Sequence, residues 1–66
     1  MKRFDENDRV YVEMDTGGGT PIKRYGVFKR YETKNGKEFG LIDFGKKSWP
    51  SGENYISSDR IKYWRD

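Results

Sequence analysis

The sequence predicts an all-β domain, and three observations lead to this fold class. Apolar and polar residues alternate with a period of two in several short runs, which is the pattern of half-buried strands. An Asn-Gly pair joins two of these runs and favours a tight hairpin. No run has the periodicity of an amphipathic helix. A chain of 66 residues forms one domain with a small core.

The first strand is predicted at residues 9–14, with the two valines and Met14 on one face. Residues 1–7 are mostly polar and are predicted to be a flexible segment, so that the folded domain spans residues 8–66. Residues 15–21 contain three glycines and a proline and are predicted to form a loop. A phosphate cradle is disfavoured there, because no Lys-Ser/Thr end opens a helix.

Two long strands are predicted at residues 22–33 and 38–46, on either side of Asn35-Gly36. A type I′ turn needs positive φ at both central positions, and Asn-Gly favours it. A two-residue turn then fixes the register of the hairpin. It pairs Thr33 with Glu38, Tyr31 with Gly40, Lys29 with Ile42, and Val27 with Phe44.

This register divides the hairpin into two faces. The predicted core face contains Tyr25, Val27, Tyr31, Ile42 and Phe44. The predicted outer face is unusually aromatic and contains Phe28, Arg30, Glu32, Phe39, Leu41 and Asp43. A slip of one residue would exchange the two faces, because successive side chains of a strand point to opposite sides.

The remainder of the chain is predicted to contain a turn-rich loop at 45–53, a short strand at 55–56, a 3₁₀ turn at 57–60 and a last strand at 61–64. Ser57 or Ser58 is the expected N-cap of the turn. Aliphatic residues are few and alanine is absent. We therefore expect either Trp49 or Trp64 to be largely buried.

Five short strands, a long central hairpin and a 3₁₀ turn before the last strand resemble the SH3-like small barrel. The resemblance covers residues 8–64 and is carried by DRVYV at 8–12, GVF at 26–28, GLIDF at 40–44 and YISSDRI at 55–61. The pattern is similar to that of Tudor and KOW modules and of retroviral integrase C-terminal domains. The resemblance implies a five-stranded SH3-like barrel. Peptide-binding SH3 domains match less well, since the ALYDY opening and the Trp-Trp pair are missing.

The composition argues against catalysis. The sequence has no His and no Cys, and so lacks the commonest general base, the thiolate nucleophile and the usual zinc ligands. We expect a protein that is not an enzyme and that uses no cofactor, no metal and no small-molecule substrate. Neither a membrane span nor a signal peptide is recognisable. The expected location is the cytoplasm, with no membrane partner.

The charge pattern points to nucleic acid as the partner. The chain has 14 basic and 11 acidic residues, and the basic excess is concentrated between residues 23 and 47, among aromatic residues. Cations bind phosphates, and flat rings stack on unpaired bases. The predicted nucleic-acid-binding residues are Lys23, Arg24, Phe28, Lys29, Arg30, Lys46, Lys47 and Trp49. Phe28 and Trp49 are the predicted stacking residues, and weak sequence specificity is expected.

Three other interpretations remain open. The charges could pair across an ordinary solvated sheet, with Arg30 near Glu32 and Asp43. The chain could be a protein-interaction module, and could homodimerise, although a monomer is the expected state. Its contact surface would be the apolar outer residues Phe28, Phe39 and Leu41, or the rim around Trp49 and Tyr55. Finally, an aromatic cage for a methylated Lys or Arg could be formed by Tyr11, Tyr25, Tyr55 and Trp49.

Overall fold

The computed structural model describes residues 3–15, 17–47 and 49–64, which form five antiparallel strands and one 3₁₀ turn. The elements are β1 (Arg9–Asp15), β2 (Pro21–Lys34), β3 (Lys37–Asp43), β4 (Glu53–Ser57), the 3₁₀ turn (Ser58–Arg60) and β5 (Ile61–Tyr63). The predicted all-β fold class and the 3₁₀ turn before the last strand are confirmed. Residues 1, 2, 16, 48, 65 and 66 lie outside the described part, and with them parts of the predicted N-terminal segment, loops and domain end.

The strands form a single sheet in the order β4-β3-β2-β1-β5. All four pairings are antiparallel. Within the described part of the chain, β4 and β5 are the two edges and do not pair with each other, so the sheet is not closed. The 3₁₀ turn leads directly from one edge strand to the other.

The hairpin between β2 and β3 has the predicted turn. Asn35 and Gly36 both have positive φ, 53° and 79°, as a type I′ turn requires. Thr33 lies opposite Glu38, and Tyr31 lies opposite Gly40. The predicted register is therefore confirmed for the part of the hairpin next to the turn.

A β-bulge between Phe28 and Arg30 changes the register further from the turn. Phe28 pairs with Ile42 and Arg30 with Leu41, so Lys29 is the extra residue of β2. The predicted pairing of Lys29 with Ile42 is wrong for this reason.

The bulge exchanges the two faces of β2 on its N-terminal side. Phe28, predicted on the outer face, belongs to the core and is 1% exposed. Tyr25 and Val27, predicted in the core, lie instead on the outer side of the sheet, opposite Tyr11 and Arg9. A single extra residue is enough for this exchange, because the side-chain period of a strand is two.

The core lies on one side of the sheet and receives residues from β1, β2, β3 and β5. Its buried members are Phe4, Val10, Val12, Phe28, Ile42, Phe44 and Ile61, with Met14, Tyr31 and Ile56 packed against them. The predicted core positions of Val10, Val12, Ile42 and Phe44 are confirmed. Leu41 is also buried, although it lies on the outer side of β3, between Arg30 on β2 and Tyr55 on β4.

The N-terminal segment contributes to this core. Phe4 is buried and its ring contacts Phe28 and Tyr63, with centroid distances of 5.4 and 4.6 Å. The Tyr31 hydroxyl accepts hydrogen bonds from the backbone N–H groups of Arg3 and Phe4, at 2.8 and 2.9 Å. The predicted domain start at residue 8 is therefore too late, because a core residue precedes it.

Both tryptophans are exposed, Trp49 by 63% and Trp64 by 41%. The expectation that one of them fills the core is wrong, because Phe4 and Phe28 provide the aromatic volume instead. Of the described elements, none is a helix with the length and apolarity needed to cross a bilayer.

Candidate functional site

A groove of about 350 Å³ lies on the outer side of β1 and β2, beside the end of β5. It is lined by Arg9, Tyr25, Gly26, Val27, Lys29, Asp43, Phe44, Gly45 and Trp64. Gly26 permits close packing of β2 against residues 42–44 beneath the groove. A Cβ atom at this position would lie 2.7 Å from the backbone oxygen of Asp43 and 2.7 Å from Ile42 Cγ2. We refer to this groove, together with Tyr11 and Lys23 at its margin, as the basic-aromatic groove.

Three aromatic rings form a row along the groove. Tyr11 and Tyr25 face each other across β1 and β2, with ring centroids 5.8 Å apart. Trp64 follows β5, and its ring lies 5.0 Å from that of Tyr25. Tyr25 is 45% exposed, so the row presents ring surface to solvent. Exposed rings of this kind are useful for binding flat ligands.

Three cations surround the row of rings. The Arg9 guanidinium carbon lies 5.4 Å from the Trp64 ring centroid, and Lys23 Nζ lies 5.1 Å from that of Tyr11. Lys29 stands on the wall of the groove because the bulge turns it outward. The described residues form one ion pair, between Lys62 Nζ and Glu13 Oε1 at 3.3 Å. The three groove cations therefore make no ion pair with a described carboxylate.

One carboxylate, that of Asp43, also lines the groove. Its Oδ1 accepts a hydrogen bond from the backbone N–H of Gly45 at 2.9 Å. This bond is an Asx-type turn that starts the loop after β3. Three cations and one carboxylate leave the groove with a net positive charge.

The structure brings two of the predicted binding residues, Lys23 and Lys29, to the groove. Arg24 lies on the core-facing side of β2, opposite Val12, and its buried Nε has no hydrogen-bond partner among the described residues. Phe28 is in the core, so the prediction that it stacks on bases is wrong. A buried ring offers no face to a ligand.

The remaining predicted residues lie elsewhere on the surface. Lys46, Lys47 and Trp49 are exposed in the loop that leaves the groove at Gly45. Arg30 neighbours Lys29 in the chain but lies on the other side of the bulge, where its Nη2 donates a hydrogen bond to Tyr55 Oη at 3.4 Å. The groove therefore does not include Arg30.

Arg30 belongs to a second outer surface, which we call the β2–β4 face. It consists of Arg30, Glu32, Lys34, Phe39, Leu41 and Tyr55. Lys34 Nζ lies 5.4 Å from the Tyr55 ring centroid. A hydrogen bond with Glu32 raises the pKa of Tyr55 above its ordinary value, and partial desolvation and the charge of Glu32 act in the same direction. The polar groups of this face thus interact largely with one another.

Arg9, Tyr11 and Trp64 belong to the basic-aromatic groove but are not among the binding residues predicted from the sequence. A signal for the first two was present, because Arg9, Tyr11 and Glu13 share the polar face of the first strand. The predicted aromatic cage consists of Tyr11, Tyr25, Tyr55 and Trp49. Of these four, the structure brings the rings of Tyr11 and Tyr25 into contact. Trp64 joins the first two rings, whereas Tyr55 belongs to the β2–β4 face. In the described ranges, no cluster of three acidic side chains is suited to hold a metal ion.

Comparison of the chain with protein-family models, with curated proteins and with solved structures found no match.

Proposed function

We propose that this chain is a small non-catalytic module that binds nucleic acid, with the basic-aromatic groove as its contact surface. The observation that carries the proposal is that one groove combines a row of exposed rings with three cations that make no ion pair with a described carboxylate. Phosphates are attracted by the cations, while the rings offer flat surfaces to bases or sugars.

The geometry supports weak sequence specificity. Arg9, Lys23 and Lys29 are positioned for phosphate contacts, which carry no sequence information directly. Lys46 and Lys47 follow the groove residue Gly45 in the chain, and both are exposed. Long-range attraction from such a surface speeds association and weakens as salt is added.

The finer fold assignment belongs to the same proposal. We assign the chain to the SH3-like small barrels, resembling Tudor, KOW and integrase C-terminal modules. The long β2–β3 hairpin and the 3₁₀ turn between β4 and β5 support this assignment. A cytoplasmic location is in keeping with the absence of Cys.

A protein-interaction role is the competing function. The exposed apolar surface available for it is smaller in the structure than the sequence predicts. Of the apolar outer residues it requires, Phe28 and Leu41 are buried. The rim around Trp49 and Tyr55 stays exposed and is what remains of this alternative. Its affinity for a partner would survive moderate salt, whereas phosphate binding would not.

The proposal is tested by titrating a short labelled oligonucleotide with the protein at low and at moderate salt. Three phosphate contacts give a log–log salt slope of about −2 on a single strand and about −3 on a duplex. The matched variants replace three cations by Gln either in the groove (Arg9, Lys23 and Lys29) or outside it (Arg30, Lys34 and Lys37).

Both triple variants lose the same charge, so they separate a located site from a general charge effect. We expect the groove variant to lose binding at low salt and the other variant to keep it within about twofold. Absence of binding by the unmodified protein at low salt would contradict the proposed function. Equal losses in the two variants would remove the groove as the site.

A further inference from the structure

The shape and chemistry of the basic-aromatic groove allow the class of nucleic acid to be specified. Resting on the proposed function, we propose that the groove binds single-stranded nucleic acid. An unpaired base enters the groove between two walls. The Tyr25 and Trp64 rings form one wall, and Lys29 forms the other. The Asp43 carboxylate accepts a hydrogen bond from the amino group of that base.

The spacing of the rings is wider than the spacing of bases in a duplex. Adjacent centroids in the row are 5.0 and 5.8 Å apart. Stacked bases of a duplex strand rise by about 3.4 Å per nucleotide. The planes of adjacent rings are also tilted by 50° and 46° to one another. Bases lying on successive rings therefore cannot keep the parallel stacking of a duplex, as in a single strand whose bases have left their stack.

The groove is also a concave site of limited size. Its volume of about 350 Å³ is near the lower end of small-ligand sites. It fits one nucleoside unit and is too small for the width of a double helix. The faces of duplex bases are covered by their neighbours, so the exposed ring of Tyr25 would have no base face to contact. A protruding unpaired base uses both the concavity and the ring.

Asp43 gives the groove a preference among bases. A carboxylate only accepts hydrogen bonds, and Asp43 Oδ1 is already bonded to the Gly45 N–H. Its Oδ2 has no hydrogen-bond partner among the described residues. Cytosine presents an amino donor at the position where thymine presents a carbonyl oxygen. The groove therefore favours bases with an amino group and repels the carbonyl oxygen of thymine or uracil.

The first test compares oligo-deoxycytidine with oligo-deoxythymidine of equal length, at pH 8 and low salt. The two probes have the same charge and similar size, so their affinity ratio isolates the base contact. We expect the cytidine strand to bind about tenfold more tightly. This comparison requires no variant, so it does not depend on the folding of a mutant protein.

The second test repeats the comparison with Asp43→Asn. The Asn carbonyl oxygen can still accept the Gly45 N–H, while its amide nitrogen becomes a donor where Oδ2 was an acceptor. We expect the preference for cytidine to disappear or to reverse towards thymidine. The change of net charge acts on both probes alike and cancels in the ratio.

The third test concerns the stacking ring. Tyr25→Leu is compared with Tyr55→Leu, because the two tyrosines are 45% and 44% exposed and lie on different surfaces. Loss of a stacking ring costs about tenfold in affinity for a single strand. We expect this loss in Tyr25→Leu, no more than about a twofold change in Tyr55→Leu, and near-complete retention in Tyr25→Phe.

The outcomes separate this inference from the proposed function. A duplex that binds as tightly as either single strand overturns the inference and leaves nucleic-acid binding in place. The same holds for a cytidine-to-thymidine ratio near one, or for a ratio that Asp43→Asn leaves unchanged. If none of the probes binds at low salt, the proposed function fails together with the inference. Polyglutamate, added at the same concentration of negative charges as the cytidine strand, is a competitor without bases. If it displaces the bound strand, the inference is overturned, because the surface then binds negative charge without contacting a base.

Discussion

The basic-aromatic groove and the β2–β4 face contain the same kinds of residues but arrange them differently. Both are on the outer side of one sheet, and both place lysine or arginine next to an exposed tyrosine. In the β2–β4 face, Arg30, Lys34 and Glu32 all interact with Tyr55. In the groove, Lys29 makes no ion pair with a described carboxylate, and the Tyr25 ring stays open to solvent.

The comparison shows that composition alone does not mark a binding surface. Two adjacent cations of β2, Lys29 and Arg30, serve the two surfaces because Lys29 is the extra residue of the bulge, whereas Arg30 pairs with Leu41 in the regular ladder. The interpretation as an ordinary solvated sheet describes the β2–β4 face well. Its polar side chains interact across the sheet, but Arg30 and Glu32 do so through Tyr55. The binding interpretation suits the groove.

The largest expected effect concerns the apolar residues of the hairpin. Phe28→Ala should lower the free energy of unfolding by about 3–5 kcal/mol, because the ring is buried in the core. Phe39→Ala, on the half-exposed β2–β4 face, should lower it by only about 1 kcal/mol. Urea unfolding followed by tryptophan fluorescence measures both.

A domain this small has little stability to lose, so Phe28→Ala could be unfolded even without urea. Phe28→Leu, which keeps most of the volume, then supplies the measurable comparison, with a loss of about 1.5 kcal/mol. Equal losses at positions 28 and 39 would show that the bulge does not divide the hairpin as described.

A smaller effect is expected from single cations on either side of the bulge. Lys29→Gln should reduce the steepness of the salt dependence of single-strand binding by about 0.7, the contribution of one phosphate contact. Arg30→Gln should leave the slope unchanged, since Arg30 contacts Tyr55 and does not line the groove. Fluorescence anisotropy over a range of salt concentrations measures the slopes. Identical slopes for the two variants would assign both cations to one surface.

The smallest effect concerns the contacts within the β2–β4 face at alkaline pH. The hydrogen bond with Glu32 holds the pKa of Tyr55 above its ordinary value of 10.0. A pKa raised by folding means that the contact stabilises the protein fully below pH 10 and stops doing so as the pH rises through the folded-state pKa. The difference in melting temperature between the unmodified protein and Tyr55→Phe should therefore be constant below pH 10 and decline as the pH rises through the folded-state pKa of Tyr55.

The control for this measurement is the same pair of proteins in a Glu32→Gln background. Removing the carboxylate should make the difference in melting temperature smaller and should shift its loss to lower pH. A difference that persists unchanged above pH 10 would mean that the Tyr55 hydroxyl is not engaged as described.

Local sequence signals predicted much of the fold correctly. Asn35-Gly36 predicted the type I′ turn and the register beside it, because positive φ at two adjacent positions is a local requirement. Alternation predicted β1 and its buried valines. The register failed at Lys29, where nothing local distinguishes a bulge from a regular strand.

The candidate site was predicted less completely. Lys23 and Lys29 were identified because they lie in the basic stretch at the middle of the chain. Arg9 and Trp64 were missed because they lie near opposite ends of the sequence, and the pairing of β1 with β2 and β5 brings them together. Contacts of such long sequence separation are set by strand order, which alternation does not specify.

The sequence by itself determined the all-β class, the central hairpin, the 3₁₀ turn and the absence of His and Cys chemistry, since these depend on residue type and on near neighbours. The tertiary structure decided which face of β2 is buried, which cations line the groove and which rings form it. The physical reason is that burial and pairing depend on the whole sheet. One bulge decided which side chains of β2 enter the core, and the N-terminal residue Phe4 completed that core.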